Sequence, residues 1–332
     1  MPKSLLSLLM VTLCAWPFSL YAQKQPSHSE QQQMLQEEQA FLRHMKPGLQ
    51  HTQMLAVKAG IIGNLAPLES IRQSRNVAPS LSEGIVATDI SPNLRLFKPS
   101  KRSKKSMPVL LYLHGGGWCF GSINSCTLFC ANVAKEAQCC VVALNYRLSP
   151  EHPYPTPLTD CQEALAYVRE HAHEWGGDST RISIGGDSAG GNLALATAMT
   201  SEGLHAVIPI YPVTKLFADA SASWATYASG YGDDAELLEA FCEAYARGKV
   251  QDPLVSVGLA PDSMLQKLPP VLLISAGHDV LADQGAAFAE RLKSIGVRTD
   301  YHLFPTATHL FITVPGQPTA FRRAVQIVAK FL

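Results

Sequence analysis

The segment that most constrains the fold is RISIGGDSAGGNLALATAMT, residues 181–200. Its first part, RISIG, has the apolar, β-branched character of a buried strand, and NLALATAM has the character of a helix. Between them stands Gly186-Asp187-Ser188-Ala189-Gly190, a Gly-x-Ser-x-Gly pattern. Small flanking residues permit a tight, strained turn that lifts a serine oxygen out at the sheet edge. The following helix then points its first N–H groups at developing negative charge. A plain helix entry with small residues has the same composition, but the strand–turn–helix setting favours a nucleophilic serine at 188.

The rest of the chain repeats the alternation. VLLYLHGG, CCVVALNY, AVIPIYP, PPVLLISAG and TDYHLFP read as strands. DCQEALAYVREHAHEW, AAFAERLKSIG and AFRRAVQIVAKFL read as helices. Short continuous apolar strands separated by helices predict a mostly parallel sheet covered on both faces. Near the N-terminus, Ser27 and Glu30 have capping-box spacing, and Leu35, Phe41, Leu42 and Met45 can share one helix face. A loose stretch then runs to about Ser82, punctuated by Pro67 and Pro79. Two segments do not fit the alternation, residues 23–80 and 214–264. Both are expected to cap the carboxyl ends of the strands, where open α/β sheets bind ligands. Within them Trp224, Tyr227, Tyr231 and Phe241, with Trp118 outside them, are candidates for lining a substrate pocket, or for cap core.

His114-Gly115-Gly116-Gly117-Trp118 follows the strand VLLYL. Consecutive glycines let backbone N–H groups approach a substrate, where they can pair with the N–H of Ala189 around an oxyanion. A phosphate cradle of the Walker type needs a Gly-Lys-Ser/Thr ending, and none follows. In this fold the acid and then the base come after the serine. Four histidines do: His205, His278, His302 and His309. His205 precedes every plausible acid, His278 abuts one, and His302 lies inside a strand, which leaves His309. For the acid, Asp279 follows the strand VLLISAG directly and is preferred, while Asp283 looks like the N-cap of the next helix.

Composition bounds the partners. The chain has 332 residues, 47% hydrophobic and 16% charged, with a formal net charge of zero. That balance suits one large domain with a sizeable core and gives no field to attract nucleic acid. The basic cluster Lys98 to Lys105 reads as a solvated turn between strands. At the start, Lys3 is followed by an apolar run from Leu5 and a small residue at Ala22, the pattern of an export signal over residues 1–22. An uncleaved membrane anchor is the alternative. Of eight cysteines, seven follow Ala22, without paired CxxC spacing, and read mostly as small buried apolar residues.

With these residues in view, the chain resembles the hormone-sensitive lipase family of esterases, the group that includes bacterial acetyl esterases and arylacetamide deacetylases. The resemblance rests on HGGGW, YRLSPEHPYPTPLTDC, GDSAGGN, DVLAD and His309, and covers about residue 80 to the end. It implies an α/β-hydrolase fold with a helical cap, as a single domain over residues 23–332. It implies Ser188 as nucleophile, Asp279 as acid and His309 as base, with the N–H groups of Gly116, Gly117 and Ala189 as the oxyanion hole. Val280 stands where the family usually has proline, and Leu310 where it usually has glycine. Such a site needs no metal or organic cofactor, and its partner is a small-molecule ester of short to medium acyl chain. A serine amidase or peptidase on the same fold, and a non-catalytic binding member, are the alternative readings.

Overall fold

The computed structural model describes residues 26–332 except 82 and 102–104. The export signal read at residues 1–22, Cys14 with it, lies outside the described residues.

Eight strands form one sheet: β1 (Ile85–Ser91), β2 (Leu94–Pro99), β3 (Met107–Leu113), β4 (Cys140–Leu144), β5 (Gly177–Asp187), β6 (Ala206–Ile210), β7 (Val271–His278) and β8 (Thr299–Thr308). Their spatial order is β1-β2-β4-β3-β5-β6-β7-β8. Strands β4, β3, β5, β6, β7 and β8 are mutually parallel, and the β1–β2 hairpin adds antiparallel to β4.

The helices are α1 (His28–His44), α2 (Leu49–Ile61), α3 (Ala66–Arg75), α4 (Ile123–Ala137), α5 (Thr156–His171), α6 (Ala189–Met199), α7 (Ala222–Thr226), α8 (Ala235–Ala246), α9 (Asp262–Leu265), α10 (Ala282–Ser294) and α11 (Pro318–Phe331). Side chains alternate along a strand, so a sheet covered on both faces is apolar at every position. Val109, Leu111 and Leu113 of β3 join one core with α5, α6 and α10. Leu110 and Tyr112, one residue out of phase, join the other core with α4 and α11.

The stretch read as loose before Ser82 holds two helices, α2 and α3. In α1 the capping box forms as expected, Ser27 Oγ accepting from Glu30 N and Glu30 Oε2 from Ser27 N. Its buried face is Met34, Glu38 and Phe41, while Leu35 points outward. Asp283 does not cap α10: the N-cap position is Leu281, and Asp283 lies in the first turn, accepting from Ser223 N at 2.8 Å. All seven described cysteines are buried free thiols. Among the described residues no helix is long and apolar enough to cross a membrane.

The chain leaves β3 for β4 on one side and later returns to place β5 on the other. Loops leaving adjacent strands at such a reversal diverge and open a crevice at their carboxyl ends. The glycine loop follows β3 and Ser188 follows β5, so both border that crevice.

Candidate active site

Ser188 is the N-cap of α6, with φ 54° and ψ −118°. A non-glycine residue at that φ is strained and persists only where its surroundings fix it. Three bonds do so: Ser188 N donates to Ile210 O (2.9 Å), and Ser188 O accepts from Asn192 N (3.0 Å) and Val213 N (3.4 Å). The flanking glycines are required by close approach. A Cβ at Gly186 or at Gly190 would run into the carbonyl oxygen of Leu113. The turn therefore packs directly on the end of β3.

Asp187 is buried beside the serine and accepts from Tyr112 Oη at 2.9 Å. Burial pushes its carboxyl up to about 6, against the pull of Tyr112, His309 and Gly115.

The glycine loop is braced from below. His114 is buried, with Nδ1 2.8 Å from Gly115 O and its ring stacked 4.3 Å from that of Tyr146. Tyr146 Oη donates to His114 O (2.7 Å). Burial lowers the His114 imidazole to about 4, so it is neutral near pH 7. Arg72 of α3 donates to Cys119 O and Ser149 O and pairs with Glu151. Among the described residues no hydrogen bond occupies the N–H of Gly116 or Gly117. That of Ala189 is the first of α6 and has no partner within the helix. The three groups read as an oxyanion hole are thus available as donors.

His309 follows β8 directly and is 3% exposed. Its Nδ1 lies 2.7 Å from Asp279 Oδ2, and Asp279 Oδ1 accepts from Leu281 N at 2.9 Å. The Tyr211 ring packs 4.5 Å from the imidazole. Gln317 clamps the residue before it, accepting from Thr308 N and donating to Thr308 Oγ1. On the acid side, His278 is held by Glu38 of α1 (Nδ1 to Oε1, 2.6 Å).

The structure brings Ser188 and His309 to the wall of one cavity of about 340 Å³, with Asp279 behind the imidazole. It does not hydrogen-bond Ser188 to His309: Nε2 has no hydrogen-bond partner among the described residues. Hydrogen bonds of this kind are often long or unmade before substrate is bound.

Asp233, just before α8, brings Oδ2 to 3.6 Å from His309 Nε2. Burial would lower the imidazole pKa, but the charges of Asp279 and Asp233, the Asp279 bond and Asp187 outweigh it and raise it to about 9. Asp233 itself is pushed up to about 6, first by burial.

Both inserts contribute to the cavity wall, through Gln50, Gln53 and Arg75 from one and Asp233, Leu237 and Phe241 from the other. Of the aromatic candidates, Phe241 lines it. Trp118 does not: it is fully buried, with its ring stacked 4.3 Å from that of Tyr245. The motif puts Trp118 beside the glycines, but its φ of 57° turns the side chain into the core beneath them. Tyr227 and Tyr231 pack instead around His278. Asp233, Arg75, Gln50, Gln53 and Glu38 carried no signal in the sequence. Asp233 reads there as one of two acids preceding a helix, and only the fold carries it to His309.

Known proteins match this architecture. A family profile described as the alpha/beta hydrolase fold matches residues 110–313. Carboxylesterase NlhH of Mycobacterium tuberculosis is 36% identical over 242 residues, 69% of this chain and 75% of that protein. The arylesterase of Saccharolobus solfataricus is 30% identical over 279 residues, 82% of this chain and 87% of that protein. Among solved structures, a thermostable esterase from Pseudomonas putida ECU1011 superposes with a TM-score of 0.74 at 27% identity, covering 90% of this chain and 97% of that one. With the profile spanning well over half of the residues and relatives of 30% identity or more covering over two thirds of the chain, the chain belongs to the hormone-sensitive lipase-like family of α/β-hydrolases.

Proposed function

We propose that the protein is a serine carboxylesterase acting on short- to medium-chain acyl esters through an acyl-Ser188 intermediate. The observation that carries this reading is the 2.7 Å bond between His309 and Asp279 at the wall of the cavity that holds Ser188 on its strained turn.

The roles follow from position. His309 Nε2 takes the hydroxyl proton as Ser188 Oγ bonds to the ester carbonyl carbon. Asp279 fixes the imidazole through Nδ1 and stabilises its charged form. The carbonyl oxygen, now negative, receives hydrogen bonds from Gly116, Gly117 and Ala189, where losing one donor costs about 3 kcal/mol. The tetrahedral species collapses, the C–O bond to the alcohol breaks, and the imidazolium returns its proton to the leaving oxygen. Water repeats the sequence and frees the acid. Every step is an acid–base or nucleophilic one of a kind these side chains perform.

A volume of about 340 Å³ stands at the lower end of small-molecule cavities and supports a short acyl group. An ethyl acetate hydrolase of Pseudomonas putida, 36% identical over 231 residues, supports the same reading. Several of the relatives bear the names of esterases, which supports esters over amides. The basic, apolar and small-residue order of residues 1–22 supports export.

The test is hydrolysis of p-nitrophenyl esters of increasing acyl length, beside p-nitroanilides of the same acids, by the wild type and Ser188→Ala. Turnover of the shorter esters, at least 1,000-fold lower in the variant, is expected. Anilide turnover with inert esters overturns the reading.

A further inference from the structure

Two arginines on α3 stand three residues apart and have opposite surroundings. Arg72 is fully engaged: Nε donates to Cys119 O, Nη2 to Ser149 O, and both terminal nitrogens meet the Glu151 carboxylate. Arg75, at the C-terminal end of the same helix, lines the cavity that holds Ser188. Its guanidinium lies 5.3 Å from the centre of the Phe120 ring. Among the described residues it donates no hydrogen bond and has no carboxylate at ion-pair distance. Asp233 acts on it only as a more distant charge.

Arg75 is open to solvent, yet protein crowds it enough for burial to depress its pKa. Both hold for a group on a concave wall. A guanidinium laid on an aromatic face keeps its position while its edge donors remain free, and that fork matches a carboxylate. Gln53, a residue of the same cavity wall, also carries an unpaired donor. Gln53 of α2 is 2% exposed, and its Nε2 has no hydrogen-bond partner among the described residues. Buried donors without acceptors are costly to keep unless a ligand supplies the acceptor.

We propose that Arg75, with the Gln53 amide on the same cavity wall, recognises a carboxylate carried by the ester substrate. The favoured substrates are therefore half-esters of dicarboxylic acids or acyl esters of hydroxy-acids. This rests on the esterase reading above. The apolar contacts with Phe241, Leu237 and Phe120 hold the rest of the molecule, and the guanidinium selects among esters of similar size.

Two matched pairs place the charge on either side of the scissile bond. Monoethyl adipate against ethyl hexanoate puts it on the acyl side, and 4-acetoxybenzoate against 4-acetoxybenzamide puts it on the alcohol side. For at least one pair, the charged-to-neutral ratio of kcat/KM is expected to fall about 10- to 100-fold in Arg75→Gln, with partial recovery in Arg75→Lys. The pair that responds identifies the side. A ratio within twofold of wild type in both pairs overturns the proposal.

A second measurement does not depend on turnover. Adipate and 4-hydroxybenzoate binding is followed by calorimetry on Ser188→Ala and on Ser188→Ala/Arg75→Gln. At least tenfold weaker binding of one anion in the double variant is expected, and equal binding of both overturns the proposal. Should every ester prove inert with the wild type, the esterase reading fails while this comparison still decides the role of Arg75.

Discussion

Near neutral pH the imidazole of His309 carries its proton between two carboxylates, Asp279 at 2.7 Å from Nδ1 and Asp233 at 3.6 Å from Nε2. Burial opposes that charge, and the carboxylates outweigh it, which raises the pKa to about 9. The protonated ring cannot take a proton from Ser188, so the active fraction grows as pH rises toward that value. The kcat/KM for a neutral ester therefore climbs from pH 6 to about 9 and falls on acidification. Asp279 must stay, because it fixes the tautomer. Asp233 adds charge on the side facing the substrate. Asp233→Asn removes that charge and is expected to move the acidic limb down by about one pH unit or more. Activity at pH 7 rises accordingly. The other groups facing the ring, Asp187 and Tyr211, are unchanged in the variant, so a limb that stays in place means Asp233 does not govern His309.

Helix α6 couples the serine turn to the insert above it. Asn192, one turn in, donates through Nδ2 to Val213 O (2.9 Å) and Val255 O (2.8 Å), both from the insert between β6 and β7. Asn192→Ala leaves two buried carbonyls without that donor. A loss of about 2–4 kcal/mol in unfolding free energy is expected, measured by chemical denaturation. A loss below 0.5 kcal/mol means water or a backbone shift replaces the bonds. The same elements show what a sequence reveals. Strands β3 to β7 are legible because a sheet covered on both faces leaves almost no polar position. Ser188 and His309 are legible because the turn chemistry and the chain order restrict them. Helices α2 and α3 are not. The buried face of α2 carries Gln50 and Gln53, which look toward the cavity and break the apolar period, and α3 buries only Leu68. Asp283 misleads for a related reason. Its carboxylate serves Ser223 across the insert, not its own helix.

Across the whole molecule, the reversal of strand order at β3 puts the glycine loop and the serine turn side by side. The two inserts then close the crevice with side chains that no local pattern announces. Turn and donors belong to the sheet, while Arg75, Gln53, Asp233 and Phe241 belong to the cap. Asp233 reaches from the cap to His309, whereas Arg75, Gln53 and Phe241 line the space for substrate, so substitutions at these three are expected to alter which ester is used more than whether one is cleaved. The central claim, that Ser188 takes the acyl group, is tested most directly by trapping the intermediate. The wild-type protein is mixed with p-nitrophenyl butyrate, quenched in acid within the first turnover and digested. Mass spectrometry then reads which peptide carries the butyryl group. The account predicts a single acylated peptide, with the group on Ser188, absent in Ser188→Ala. Acylation at another residue, or turnover without an acyl-enzyme in a variant lacking Ser188, contradicts it.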